Sequence, residues 1–356
     1  MKKKQLILGL VVLAAIVALV VWGRDKIHFD FALFRAQLAR ADWKRIALGA
    51  GLIYVAYIFR SVRWAYLLRH NKKVHPLSLL GTQVIGFTAV ALIGRVADPV
   101  RPYLVSKKTD LPLSNQIAVY IVERLFDMGS MALIFSSAIL LSGWLGGPGA
   151  LPHSELVKRA GYWGMAGTAG GASFLVAVRF SGNLVAAFFE RTLGVLSKRA
   201  GQAIGHKIRE FRTGLDTMRS FADFGVTAGL SIGMWILIAG AYLVTMNAFV
   251  ADPVLASVTA GKCVLLMAVS GVSSIVPVPI LFWFTQIGIV AAAISKFLGV
   301  SPEPATACAA TLLLTTFLSI VPVGLIWAQI DHVSLRKVTV ESEHAEEELE
   351  AAQATE

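Results

Sequence analysis

Three short stretches of this sequence set ionisable side chains among apolar neighbours. Arg60 and Arg63 close a long apolar run; Arg95, Asp98 and Arg101 stand three apart; Glu123 and Asp127 stand four apart with Arg124 between them. Charge at membrane depth is costly and points to binding or transport more than to stability. Guanidinium forks suit an oxyanion such as phosphate, which accepts two parallel N–H bonds. Asp98-Pro99 reads as an N-cap followed by Pro at the first helical position, which would aim free N–H groups at the same anion. In a helix Arg95, Asp98 and Arg101 would share one face. Glu123 and Asp127 would neutralise Arg60, Arg63, Arg95 or Arg101, or accept a cationic group. Farther along, Lys262, Ser270, Ser273, Ser274 and Gln286 surround Val276-Pro277-Val278-Pro279, the other half of a polar pathway.

Other chemistries lack their residues. Gly261-Lys262 has no upstream glycine for a phosphate-cradling loop, and Gly146-Gly147-Pro148-Gly149 is a turn without a preceding strand. The seven His show neither HExxH nor HxxE spacing, and there is no GxSxG elbow. Cys263 and Cys308 lie in apolar stretches as packing residues. The expectation is no catalytic residue, no metal, no cofactor and no enzyme activity.

The elements that must carry these residues are membrane helices. Of 356 residues, 56% are apolar and 15% charged, too few charges to cover a soluble surface. The net charge is +11, and the seven Glu of Glu341–Glu356 leave the rest at +18. In a polytopic chain such an excess marks cytoplasmic loops and anionic headgroups, not nucleic acid. The pattern predicts an all-α polytopic integral membrane protein: about eight transmembrane helices, with re-entrant or broken helices and a cytoplasmic interfacial amphipathic segment. One membrane domain spans 1–332, with an N-terminal half 1–178, a basic segment 179–223 and a C-terminal half 224–332. Residues 333–356 read as a solvated acidic cytoplasmic tail.

Met1-Lys2-Lys3-Lys4 before Leu6–Trp22 reads as an uncleaved first span with a cytoplasmic N-terminus. A short interfacial helix follows within 24–43, then a span from Trp43 to Leu68. Residues 78–94 are followed by Arg95, Arg101, Lys107 and Lys108, so a full crossing would place four cations outside. A re-entrant segment returning to the cytoplasmic side is expected. Gly143–Gly149 reads as an outer loop. Gly161, Gly164, Gly167, Gly170 and Gly171, and Gly225, Gly229 and Gly233, are read as helix-packing positions. In 180–222 a stripe from Leu184 and Phe188 to Leu215 and Met218 predicts a basic helix pair, either on the inner leaflet or packed as a solvated hairpin. Apolar runs at 254–276, 280–300 and 305–329 complete the chain.

Arg60-x-x-Arg63-Trp64, Gly94-Arg95-Val96-Ala97-Asp98-Pro99-Val100-Arg101-Pro102 and Val122-Glu123-Arg124-Leu125-Phe126-Asp127 resemble, in order and spacing, motifs of the membrane domain of lysylphosphatidylglycerol synthases and their stand-alone flippase-like relatives. The resemblance covers most of 5–330. It implies a helical bundle with broken helices that moves phospholipids or aminoacylated phospholipids between leaflets. The chain departs from that pattern in having Ala97-Asp98 for Gly-Glu, Pro277-Val278-Pro279-Ile280 for a glycine-rich break, and Gln286 near the place of an acid. It carries no synthase domain, so lysyl transfer is not expected.

The resulting expectation is a cytoplasmic-membrane flippase for a phospholipid with a charged headgroup, anionic or aminoacylated, with both termini cytoplasmic. Its transport residues are Arg60, Arg63, Arg95, Asp98, Arg101, Glu123, Arg124, Asp127, Lys262 and Gln286. Two alternatives stay open: a non-transporting membrane partner of a lipid- or envelope-modifying enzyme, and a small-solute secondary transporter. Homo-oligomerisation is left open; nucleic acid is not an expected partner.

Overall fold

The computed structural model describes residues 29–140, 155–194, 197–273 and 282–345, apart from 336 and 343. The expected span at Leu6–Trp22, the Gly143–Gly149 loop and the Pro277–Pro279 break lie outside them. Described elements are α1 (Phe31–Arg40), α2 (Trp43–Leu68), α3 (Leu80–Ile93), α4 (Val100–Thr109), α5 (Leu113–Leu140), α6 (Glu155–Gly194), α7 (Lys198–Gly214), α8 (Phe221–Met246), α9 (Pro253–Ala256), α10 (Ala260–Ser273), α11 (Phe282–Leu298), α12 (Pro302–Leu313) and α13 (Ile320–Ile330). No strand occurs among the described residues.

Among the described residues, five helical stretches are long and apolar enough to cross a membrane: Trp43–Leu68, Pro76–Ile93, Gly161–Leu193, Phe221–Met246 and Pro302–Ile330. α5 has 28 residues, about 42 Å at the helical rise, but three charges interrupt its apolar run. α2 begins where the sequence predicts, because Asp42 caps it by accepting from the N–H groups of Lys44 and Arg45 at 3.0 and 3.3 Å. It packs along α8. α8 starts on a capping box in which Ser220 and Asp223 exchange side-chain and backbone bonds. The last span is interrupted by a π turn at Leu314–Leu318, where the N–H of Ser319 reaches the Leu314 carbonyl at 2.7 Å.

Residues 76–109 form a hairpin. A 3-10 turn at Pro76–Leu79 leads into α3, which ends at Gly94 with φ +99°, a backbone region that L side chains rarely adopt. α4 then runs back along α3: a Cβ on Gly86 would collide with the Arg101 side chain. The hairpin closes where Lys72 Nζ donates to the Thr109 carbonyl at 2.6 Å. The chain thus returns to the end of the bundle it left, as the charge pattern around 78–94 predicts.

Several local expectations fail. Arg95, Asp98 and Arg101 do not share a helix face: Arg95 is in a 3-10 turn, Asp98 in a turn and Arg101 in α4. Pro99 itself takes the N-cap position, and no side chain caps α4, so the helix starts one residue later. The basic pair forms from the second half of α6, beyond a break at Ser181 (φ −130°, ψ 31°), and α7. Its apolar stripe is split, however. Ile208, Leu215 and Met218 are buried, whereas Leu184 and Phe188 are 74% and 63% exposed. Val178 and Ala186 take the inner positions because the two helices meet at Gly182 and Gly205, against Arg212 and Glu190. Among the glycines, Gly161 and Gly164 admit α5 at Ile139 and Ser136, and Gly233 approaches Phe59; Gly167, Gly170, Gly171, Gly225 and Gly229 have no such neighbour among the described residues.

The tail is not wholly solvated. Residues 337–342 are helical, and Val338, Thr339 and Ser342 are buried. Val338, with Val333 and Leu335, joins the apolar cluster of Ile85, Ala89, Val100 and Leu104 on the hairpin. Tyr103 donates its hydroxyl to Glu341 Oε2 at 3.0 Å, and Lys108 lies 3.8 Å from Asp331.

Candidate functional site

The three charged motifs converge at the basic end of the bundle. α2 presents Arg60 and Arg63 one turn apart; α5 presents Glu123, Arg124 and Asp127; the hairpin brings Arg101. Arg63 Nη1 donates to Asp127 Oδ1 and to Ser231 Oγ, each at 2.6 Å. Glu123 Oε1 receives all four guanidinium groups: Arg124 at 2.8 Å, Arg63 at 2.9 Å, Arg101 at 3.1 Å and Arg60 at 3.4 Å. Asp127 Oδ2 lies 2.9 Å from Arg124 and 3.6 Å from Arg60. Glu123, Asp127, Arg60, Arg63 and Arg101 are buried, while the side chain of Arg124 is 35% exposed and forms the rim.

Aromatic rings wall the cluster. Phe87 lies 4.4 Å from the Arg101 guanidinium and 4.7 Å from that of Arg60. Tyr120 lies 5.0 Å from Arg101 and 5.3 Å from Arg124, and Trp64 lies 5.7 Å from Arg101. Ring faces attract guanidinium planes more strongly once water is removed. Trp64 Nε1 in turn donates to Gln116 Oε1 at 3.0 Å, and Gln83 Oε1 accepts from Arg101 Nη1 at 3.3 Å. Sequence reasoning missed Gln83, Gln116, Ser231 and these rings. For Tyr120 the available signal was its spacing from Glu123, one helical turn.

The cluster is unbalanced: four guanidinium groups face two carboxylates, a formal surplus of +2. Its donors are also in excess. Arg101 Nε and Nη2, Arg124 Nε, Gln83 Nε2 and Gln116 Nε2 are buried without a hydrogen-bond partner. Asp127 Oδ2 is likewise buried without a hydrogen-bond partner, though ion-paired; buried donors left unmade are expensive, and with the charge surplus they favour an anion.

Other predicted residues stand apart. Asp98 is half-buried and joins none of these ion pairs among the described residues, and the side chain of Arg95 lies outside what is described. Lys262 is half-buried on α10, away from the cluster's ion pairs. Gln286 belongs to a separate neutral group: its Nε2 donates to Ser270 Oγ at 3.2 Å, and Tyr242 Oη lies 2.9 Å from the same oxygen. These three line a small cavity with Val290, Ala309, Leu312 and Leu313. Tyr242 follows Ser231 on α8 by about 16 Å of helix, so the two polar groups are distinct. A further node joins the start of α8 to the end of α2, where Asp223 accepts from Arg69 and Tyr66 and meets His70 Nε2 at 3.3 Å.

The family description "Lysylphosphatidylglycerol synthase TM region" matches residues 6–324, which include every member of the ion cluster. The chain belongs to that family. No curated protein and no solved structure matches it. Membership in the lysylphosphatidylglycerol synthase transmembrane-region family fits the apolar helices described above, and together they make this a multi-pass membrane protein. It relates the chain to membrane domains concerned with lipid modification or transport. The three motifs that suggested the family in the sequence are those that meet at Glu123.

Proposed function

We propose that this protein translocates a phospholipid with an anionic headgroup between leaflets of the cytoplasmic membrane, without covalent chemistry. The observation that carries this reading is the buried surplus of two positive charges around Glu123, with unpartnered donors on Arg101. The headgroup phosphate enters past Arg124 and binds Arg101 and Arg63, while the acyl chains stay in lipid. Glu123 and Asp127 hold the guanidinium groups in position. α4, joined to α3 through the Gly94 turn, is the mobile half of a broken helix, the kind of element on which transporters carry binding groups. Positive charge at the ends of α2 and of the hairpin supports a cytoplasmic side for that end of the bundle, and with it for both termini.

The test is headgroup flipping in vesicles that contain only this protein. The expected outcome is movement of a labelled anionic phospholipid that falls in Arg63→Gln and Arg101→Gln. Flipping that persists unchanged in both, or no flipping by the folded protein, would reject the reading. In the latter case a stable complex with a lipid-modifying enzyme would favour the partner alternative.

A further inference from the structure

Free donors occur on Arg63 and Arg124 as well, and on Arg101 they fall on one edge. Arg101 Nη1 is used by Glu123 Oε1 and Gln83 Oε1, whereas Nε and Nη2, which form one edge of the guanidinium, are both buried and unpartnered. Such an edge presents two parallel N–H groups, the half-site of a bidentate bond to an oxyanion. Gln83 must turn its oxygen to Arg101, since Arg only donates, and this leaves Gln83 Nε2 as another donor without a partner. Phe87, Tyr120 and Trp64 surround the Arg101 guanidinium and keep its charge from being shielded by water.

We infer that this site is built for a doubly charged terminal phosphate, a phosphomonoester at the head of a lipid, in preference to the singly charged phosphodiester of most phospholipids. The inference rests on the headgroup reading above and names its substrate class. A phosphodiester offers two unesterified oxygens and one charge: it would occupy the Arg101 edge and leave a charge of +1 buried. A phosphomonoester offers three oxygens and two charges. It would occupy the same edge, take the Gln83 amide and bring the cluster to neutrality. Arg101 is fully covered in this conformation, so the phosphate reaches the edge as α4 swings on the Gly94 turn.

The full-length protein in phosphatidylcholine nanodiscs provides the test, with thermal stabilisation read against increasing mole fractions of phosphatidic acid or phosphatidylglycerol of the same acyl chains. At about pH 8.5, well above the second phosphate ionisation near 6, phosphatidic acid should act at a mole fraction roughly tenfold lower, since the second charge adds to attraction in a poorly screened site. At about pH 5, where a phosphomonoester carries one charge, that preference should fall to within about twofold, with phosphatidylglycerol unchanged. Gln83→Leu, which leaves every ion pair in place, should reduce the preference for phosphatidic acid and not the response to phosphatidylglycerol. Equal action of the two lipids at the higher pH, or a preference indifferent to pH, would overturn the inference and leave the headgroup reading standing. No response to either lipid would overturn both. Stabilisation by inorganic phosphate alone to the same extent as by phosphatidic acid would overturn the lipid assignment, the ligand then being free phosphate.

Discussion

Lys72 and Thr109 meet across the open end of the α3–α4 hairpin, the lysine ammonium donating to the threonine carbonyl. Two residues separated by an apolar helix and its return are hydrogen-bonded neighbours. Lys72 and Lys107 must therefore lie on one side of the membrane. Single cysteines at these positions should react alike with an impermeant reagent, both shielded in intact cells and both open in inverted vesicles. Reaction of position 107 alone from outside would make Pro76–Ile93 a complete crossing.

Gly86 is the point where the returning helix touches the outgoing one. Gly86→Ala should push Arg101 from its place, with a loss of about 1–3 kcal/mol, as for overpacking elsewhere. The measurement is thermal unfolding in detergent. A variant with the parent's midpoint would show that α4 has slack at this contact.

Glu123 is the single acceptor common to four guanidinium groups. Glu123→Gln raises the buried surplus from +2 to +3 and should cost roughly 3–5 kcal/mol, as when one partner of a buried pair is removed. Combining it with Arg60→Gln restores the surplus and should recover much of that loss. Additive destabilisation in the double variant would mean that Arg60 and Glu123 do not interact.

Asp223 holds two helices through one carboxylate. It accepts from the N–H groups of Arg219 and Ser220 at 2.6 and 3.0 Å while meeting Arg69 and His70 just past the end of α2. Asp223→Ala should destabilise more than Ser220→Ala, which removes only a cap worth about 1 kcal/mol. Chemical denaturation of the two variants side by side would rank them. Equal losses would reduce Asp223 to its capping role.

The sequence made the charged motifs and the helices bearing them legible, for a physical reason. Apolar runs of about twenty residues, and charges that interrupt them, are one-dimensional signals. α2 appears with the boundaries its caps and hydropathy suggest, and the return of the chain after 94 follows from charge alone. What stayed hidden needs three dimensions. Arg63 and Ser231 are 168 residues apart, and no local pattern pairs them. Gln83 and Gln116 look like ordinary polar interruptions until Arg101 and Trp64 are set against them. Asp98 misled because a cap and a turn have the same composition, and only the backbone at Pro99 separates them.

Through Glu341 on Tyr103, Asp331 near Lys108 and Val338 in the hairpin's apolar cluster, the segment after the last span grips the helix that carries Arg101. Tyr103 is two residues from that arginine. The helical segment at 337–342 is thus a lever with its fulcrum on α4: a pull on it is a pull on the guanidinium edge itself.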